Sequence, residues 1–216
     1  MKKFLQLLLV LGLSLLCLYY CRSPLPKGAE ISALYDAPIQ WIAGNPNGSV
    51  TVVEFFDYLC PFCKKEQYLL LQLIKKNPDV RLIYKGYALY GDQSLPALKG
   101  AIAAARQENF LSFHNAMIGS LSYPSEEQAL IFAQGLSLDL SQFRRDVSDP
   151  SVLNEIRGNG ALADSLNIRG APTFYFTQTR ILTASNPDHI PQITVSGYLT
   201  LSELNTYLQK ITPPRN

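Results

Sequence analysis

Apolar residues change period several times along this chain, and each change marks an element. Residues 51–56 read TVVEFF, a run of β-branched and aromatic side chains suited to a strand buried on both faces. Pro61 then stands where a helix can begin, because the first helical N–H has no partner to lose. Residues 68–74 continue as an apolar helix that stops before Asn77-Pro78. Residues 81–87 return to a strand pattern. Strand, helix, strand in this order predicts a βαβ unit with a parallel pair.

Residues 93–167 read as helical throughout, with segments 97–106, 110–118, 126–134 and 153–166 separated by Gly, Pro and Ser. They predict a helical insertion. Two strand candidates, 173–176 and 192–195, flank a turn-rich stretch and predict a hairpin. Thr200-Leu201-Ser202-Glu203 is a capping box, and Leu204, Leu208 and Ile211 follow at helical spacing, so a last helix covers the sheet. Before all of this, residues 22–48 are rich in Pro, Gly and Asn, with an apolar piece at 39–42 suited to an edge strand. The expected organisation is α/β: a linker over 24–37 and one domain over 38–216.

The first residues follow a different pattern. Lys2 and Lys3 precede a nearly unbroken apolar stretch over residues 4–20, the layout of an export signal. Its 17 residues sit at the lower edge of what spans a bilayer, and no small-x-small cleavage site follows. Residues 1–23 are therefore expected to be a signal peptide or a retained membrane anchor, placing the body in the periplasm or cell envelope. Lipidation at Cys17 or Cys21 fits less well, because Leu16 and Tyr20 precede them where the bacterial lipoprotein pattern has a small residue.

Composition narrows the partners. With 47% apolar and 17% charged residues the chain is that of a packed protein. Lys2, Lys3 and Arg22 supply three of its 19 basic residues, and without them 16 bases face 17 acids. A nearly neutral body lacks the basic face that nucleic acid requires, so no nucleic-acid partner is expected.

Cysteine usage carries the chemistry. Two of the four cysteines lie in the export segment and the body holds one pair, Cys60 and Cys63, around Pro61 and Phe62. A zinc site on this spacing needs two more ligands, and His114 and His189 each stand alone, so no metal and no other cofactor is expected. A redox pair fits better, given its position between a buried strand and a helix opened by proline. A thiolate is the attacking species, and a helix N-terminus favours it. Cys60 would lie at the cap, accessible, with the N–H groups of Phe62 and Cys63 aimed at its sulfur. Cys63 would sit one turn on, more buried, and resolve the mixed disulfide. Glu54 interrupts the apolar strand six residues earlier. Either that face reaches solvent, or Glu54 is a buried carboxyl of raised pKa that exchanges protons with Cys63. His114, beside Phe113, Ala116 and Met117, reads as a packing or surface residue.

The segment Val53-Glu54-Phe55-Phe56-Asp57-Tyr58-Leu59-Cys60-Pro61-Phe62-Cys63-Lys64 resembles the active site of the DsbA family, and Gly170-Ala171-Pro172-Thr173-Phe174 resembles that family's cis-proline loop. The likeness covers residues 38–211. It implies a thioredoxin-like fold with an inserted helical domain, and a thiol:disulfide oxidoreductase that donates its disulfide to exported proteins and is reoxidised by a membrane partner of the DsbB type. Cys60, Cys63, Glu54 and Pro172 carry over as catalytic residues, and Pro61, Phe62 and Ala171 as substrate-binding ones. Phe62 stands where the best-known members have His, which implies a less acidic Cys60 and a weaker oxidant. Two rivals remain: an isomerase or reductase using the same centre, and a non-catalytic surface protein or chaperone using the groove to hold peptides.

Overall fold

The computed structural model describes residues 32–179 and 192–212. The expected signal or anchor, most of the expected linker, His189 and the turn of the predicted hairpin lie outside them. Among the described residues no helix is long and apolar enough to cross a membrane.

A five-stranded mixed sheet forms the centre, in the order β1-β3-β2-β4-β5. Its strands are β1 (Ile42–Gly44), β2 (Val50–Phe56), β3 (Val80–Gly86), β4 (Thr173–Gln178) and β5 (Gln192–Ser196). Only β2 and β3 run parallel. They are joined by helix α1 (Pro61–Lys76), as the βαβ pattern requires. All seven β2 residues are buried, which explains why this strand lacks the alternation of a half-exposed one. β4 and β5 pair antiparallel, and β5 alternates exposed and half-buried residues as an edge strand does.

Between β3 and β4 come α2 (Leu95–Ala105), α3 (Phe110–Gly119), α4 (Glu126–Gly135), α5 (Leu140–Ser148) and α6 (Pro150–Ser165). Helix α2 is the hub of this insertion. Its small residues are buried almost from end to end, and a Cβ at Gly100 would come within 2.8 Å of the Phe113 ring and 3.0 Å of Ala129 Cβ. Helix α5 was not among the segments singled out in the sequence: it is short and mostly polar, with Phe143 buried and Leu140 and Val147 partly buried on one face. The piece at 39–42 is also corrected: Ile39–Trp41 is a 3₁₀ turn, and the edge strand begins at Ile42. The last helix, α7 (Leu201–Ile211), starts at the predicted capping box, with Thr200 and Glu203 each accepting from the other's backbone N–H.

The sheet separates two cores. On one side Val52, Phe56, Leu82, Tyr84, Phe174 and Phe176 pack with Leu70 and Leu73 of α1, Leu204 and Leu208 of α7, and the insertion. On the other, Val53, Phe55, Ile83 and Tyr175 meet Leu162 and Ala163 of α6 and the buried Leu34 and Tyr35. Because side chains alternate along a strand, Glu54 shares the α1 side with Val52 and Phe56.

Candidate active site

β2 ends at Phe56, and the turn that follows is tied by Asp57. Its Oδ1 accepts from the Leu59 N–H at 2.8 Å, its Oδ2 from Leu89 N–H at 2.8 Å, and its carbonyl from Cys60 N–H at 3.0 Å. This buried carboxyl therefore fixes both the approach to the cysteines and the loop after β3. Asp57 is a site residue that the sequence reading passed over; an Asp directly after a strand, where its side chain can accept from the N–H two residues on, was its signal.

Cys60 occupies the N-cap of α1, Pro61 the first helical position, and the Cys63 N–H points at Cys60 Sγ over 3.3 Å. No acid stands in the first turn to oppose an anion on Cys60, whereas Lys64 and Lys65 lie near it, and Lys75 and Lys76 close the last turn in the sense the helix dipole favours. Both thiols are free. The Cys63 thiol hydrogen-bonds the Cys60 sulfur and, with the N–H groups of Cys63 and Phe62, lowers the Cys60 pKa to about 7 against the opposing effect of burial. Burial and the adjoining Cys60 sulfur push Cys63 far the other way. The two cysteines thus differ sharply in acidity.

The expectation of an open Cys60 needs correcting. Cys60 and Cys63 are each only 1% exposed. The Cys60 thiol donates to the Ala171 carbonyl at 3.2 Å, so the Gly170–Thr173 loop lies over the sulfur. Ala171-Pro172 is a cis peptide, and Pro172 is buried while Ala171 is half-exposed. Pro61 and Phe62 face outward, Phe62 at 52% exposure with Lys65 Nζ 5.9 Å from its ring. The sequence-predicted residues Cys60, Cys63, Pro61, Phe62, Ala171 and Pro172 therefore converge on one spot.

Glu54 lies beneath it. It is 1% exposed, which removes the alternative of a solvent-facing strand. Oε2 has no hydrogen-bond partner. Burial, then the Glu66 carboxylate and Cys60, hold its pKa well above the ordinary carboxyl range. Glu66 is a second buried carboxyl, one turn after Cys63, which the sequence reading missed. Its signal was positional: Cys63, Glu66, Gln67, Leu70 and Leu73 fall on one helical face, so a polar pair sits in an apolar stripe.

Further in, His114 bridges a polar cluster. Gln67 Oε1 accepts from its Nε2 at 3.2 Å, which assigns the ring hydrogen there and leaves Nδ1 to accept from the Tyr58 hydroxyl at 3.0 Å. Gln67 also donates to Tyr84 and Asn115. Burial lowers the His114 pKa to about 3, so the ring is neutral and structural. Among the described residues no group of three His, Cys, Asp or Glu side chains is arranged to hold a metal ion.

A cysteine pair at the start of the first helix of a thioredoxin-type fold, facing a proline loop, defines the thiol:disulfide oxidoreductases as a class. The model of the DSBA-like thioredoxin domain matches residues 51–193, and the chain belongs to that family. A thioredoxin-like oxidoreductase from Silicibacter pomeroyi DSS-3 is 32% identical, with a TM-score of 0.71, over 83% of this chain and 95% of that one. Probable disulfide bond formation protein D of Bacillus anthracis is 27% identical over 175 residues, 75% of this chain and 77% of that protein. Na(+)/H(+) antiporter NhaA 3 of Salinispora tropica is 28% identical over 141 residues, and there the match spans 64% of this chain but 22% of the antiporter.

Proposed function

We propose that this oxidoreductase works outside the cytoplasm and introduces disulfides into reduced, exported proteins. The observation that carries the reading is the asymmetry of the dithiol: Cys60 is acidified at a helix N-terminus while Cys63 is a much weaker acid. A reduced form held by a stabilised thiolate favours giving the disulfide away. The name of the Bacillus relative, a disulfide bond formation protein, points the same way. The apolar run after Lys2 and Lys3 supports export.

In the oxidised protein a substrate thiolate attacks Cys60 Sγ, the Cys60–Cys63 bond breaks, and Cys63 leaves with the electron pair and takes up a proton. Glu54 is the buried acid placed to supply it. The substrate's second thiolate then attacks its own sulfur in the mixed disulfide and releases Cys60 as a thiolate. Two electrons have passed from the substrate to the cysteine pair, and a membrane oxidant removes them again. The Ala171 backbone, with Pro172 behind it, and the exposed Pro61 and Phe62 form the surface on which an extended substrate segment is held.

Oxidised protein is expected to form disulfides in a reduced, unfolded test protein. Cys60→Ser abolishes this, and Cys63→Ala accumulates mixed disulfides at Cys60 that identify clients and the membrane partner. Faster repair of scrambled disulfides than formation of new ones would favour the isomerase instead. Retention of full function by Cys60→Ser would favour a peptide-holding role. Fusion of residues 1–31 to a reporter active only outside the cytoplasm tests export.

A further inference from the structure

Two carboxyls lie buried beneath the dithiol, and none of the ion pairs among the described residues involves either. Glu54 comes from the middle of β2 and Glu66 from the second turn of α1. Both Glu54 Oε2 and Glu66 Oε1 lack a hydrogen-bond partner. Glu66 Oε2 alone is held, accepting from the Leu199 N–H at 3.0 Å in the segment that leads into α7. Two such groups cannot both be charged without a large desolvation cost, so the pair retains a proton.

The surroundings decide where that proton sits. Glu54 is faced by Glu66, Cys60 and Cys63 from the α1 side, and by Tyr58 and Tyr84. Burial, Glu66 and the Cys60 sulfur disfavour a negative charge there, while Cys63, Tyr58 and Tyr84 stay neutral beside it. Glu66 is faced by Glu54 and by Glu203 of α7, but the Leu199 N–H stabilises its carboxylate, so burial lifts its pKa only to about 7. Glu66 is therefore the first of the pair to ionise, becoming the anion as pH rises through about 7, while Glu54 remains the acid.

We propose that Glu66 is a positioning residue for disulfide exchange: a fixed buried carboxylate that keeps Glu54 protonated, so that Glu54 can hand its proton to Cys63 as that sulfur leaves. This rests on the exchange reading given above. When the Cys60–Cys63 bond breaks, the electron pair goes to Cys63 Sγ, and the Glu54 O–H breaks as the new S–H forms. Glu54 is left as a carboxylate beside Glu66, and repulsion between the two favours proton uptake from solvent, which resets the acid. Below about pH 7 Glu66 takes up a proton itself and its hold on Glu54 relaxes.

The test uses the full chain, reduced, with glutamate carboxyls labelled with carbon-13 and followed by infrared spectroscopy across pH. Wild type is expected to show two buried carboxyls, one titrating near pH 7 and one higher, assigned through Glu66→Gln and Glu54→Gln. Glu66→Gln keeps an acceptor for the Leu199 N–H. It is expected to lower the Glu54 midpoint by about one pH unit, the effect of removing a close like charge. The upper limb of the exchange-rate profile should move with it, and Glu66→Gln should add nothing in a Glu54→Gln background. An unmoved Glu54 midpoint, or the same rate change with Glu54 already replaced, overturns the proposal. If Glu66→Gln does not fold, the wild-type titration decides alone: two carboxyls titrating together contradict it. The spectra are independent of turnover, so a protein that exchanges no disulfides at all would refute the exchange reading while still reporting on the pair.

Discussion

The two sides of β2 are equally buried and differently built. Toward α6, Val53 and Phe55 meet Ile83, Leu162, Ala163 and Tyr175 in an apolar core. Toward α1, Val52 and Phe56 share their face with Glu54, and behind it lie Glu66, the two cysteines and the hydrogen-bonded cluster of Tyr58, Gln67, Tyr84 and His114. Buried carboxyl oxygens without partners reduce stability, and of the three among the described residues two, on Glu54 and Glu66, stand on the dithiol side, the third being Asp146 Oδ2 in α5. The difference teaches where folding and chemistry compete: one side of the strand is apolar apart from the unpartnered Tyr87 hydroxyl, and the other tolerates unsatisfied carboxyls beside the dithiol.

The strongest way to break the comparison is on the apolar side. Phe55→Ala should cost about 3–5 kcal/mol of stability, read from urea denaturation, because it empties a fully buried aromatic site. The pH dependence of disulfide exchange by the remaining folded protein should be unchanged. A shifted pH profile would show that the two sides are not separable.

Glu54→Gln should do the opposite. Exchange should slow on the order of a hundredfold, the scale of losing one general acid, as measured by stopped-flow oxidation of a reduced peptide. Stability should rise. The folded-state pKa of Glu54 is raised above its ordinary 4.5, so the folded protein binds the extra proton, and wild-type stability falls as pH climbs above that value. The stability advantage of Glu54→Gln should therefore grow with pH from about 4.5 upward. His114, held near 3 against an ordinary 6.5, acts in the reverse direction in acid but equally in both proteins, and cancels in the difference.

The smallest change sharpens the comparison at the surface. Phe62→His puts an ionisable ring beside Cys60 at a half-exposed position, and should make Cys60 more acidic by about one pH unit or less, with a more oxidising disulfide. Wild type should accordingly equilibrate with glutathione as a weaker oxidant than the variant. Equal positions of the two equilibria would remove Phe62 as the tuning residue.

Much of this was legible in the sequence because local rules and the fold agree. TVVEFF, Pro61 after Cys60, and the capping box at Thr200 each specify their element through covalent geometry or hydrogen bonding that acts within a few residues. Glu54 was readable as an anomaly in an apolar strand. Helix α5 was passed over although Leu140, Phe143 and Val147 stand at helical spacing behind the Asp139 cap, because three apolar residues in so short and polar a segment carry little weight beside the longer runs around it. That the loop at 170–174 faces the cysteines followed from the family resemblance alone, since 111 residues separate Ala171 from Cys60, and no local pattern showed that it would cover the sulfur. Glu66 fell between these cases, placed by helical period but given meaning only by Leu199, which arrives from the far end of the chain.

The covered sulfur makes one measurement the most direct. Alkylation of Cys60 by iodoacetamide, followed by mass spectrometry across pH in the reduced full chain, reports both its acidity and its access. The rate should rise with a midpoint near pH 7, as the thiol loses its proton and with it the bond to the Ala171 carbonyl, and the helix start holds the charge. A midpoint near the ordinary 9.0, or a sulfur that does not react at any pH at which the protein stays folded, would contradict the account.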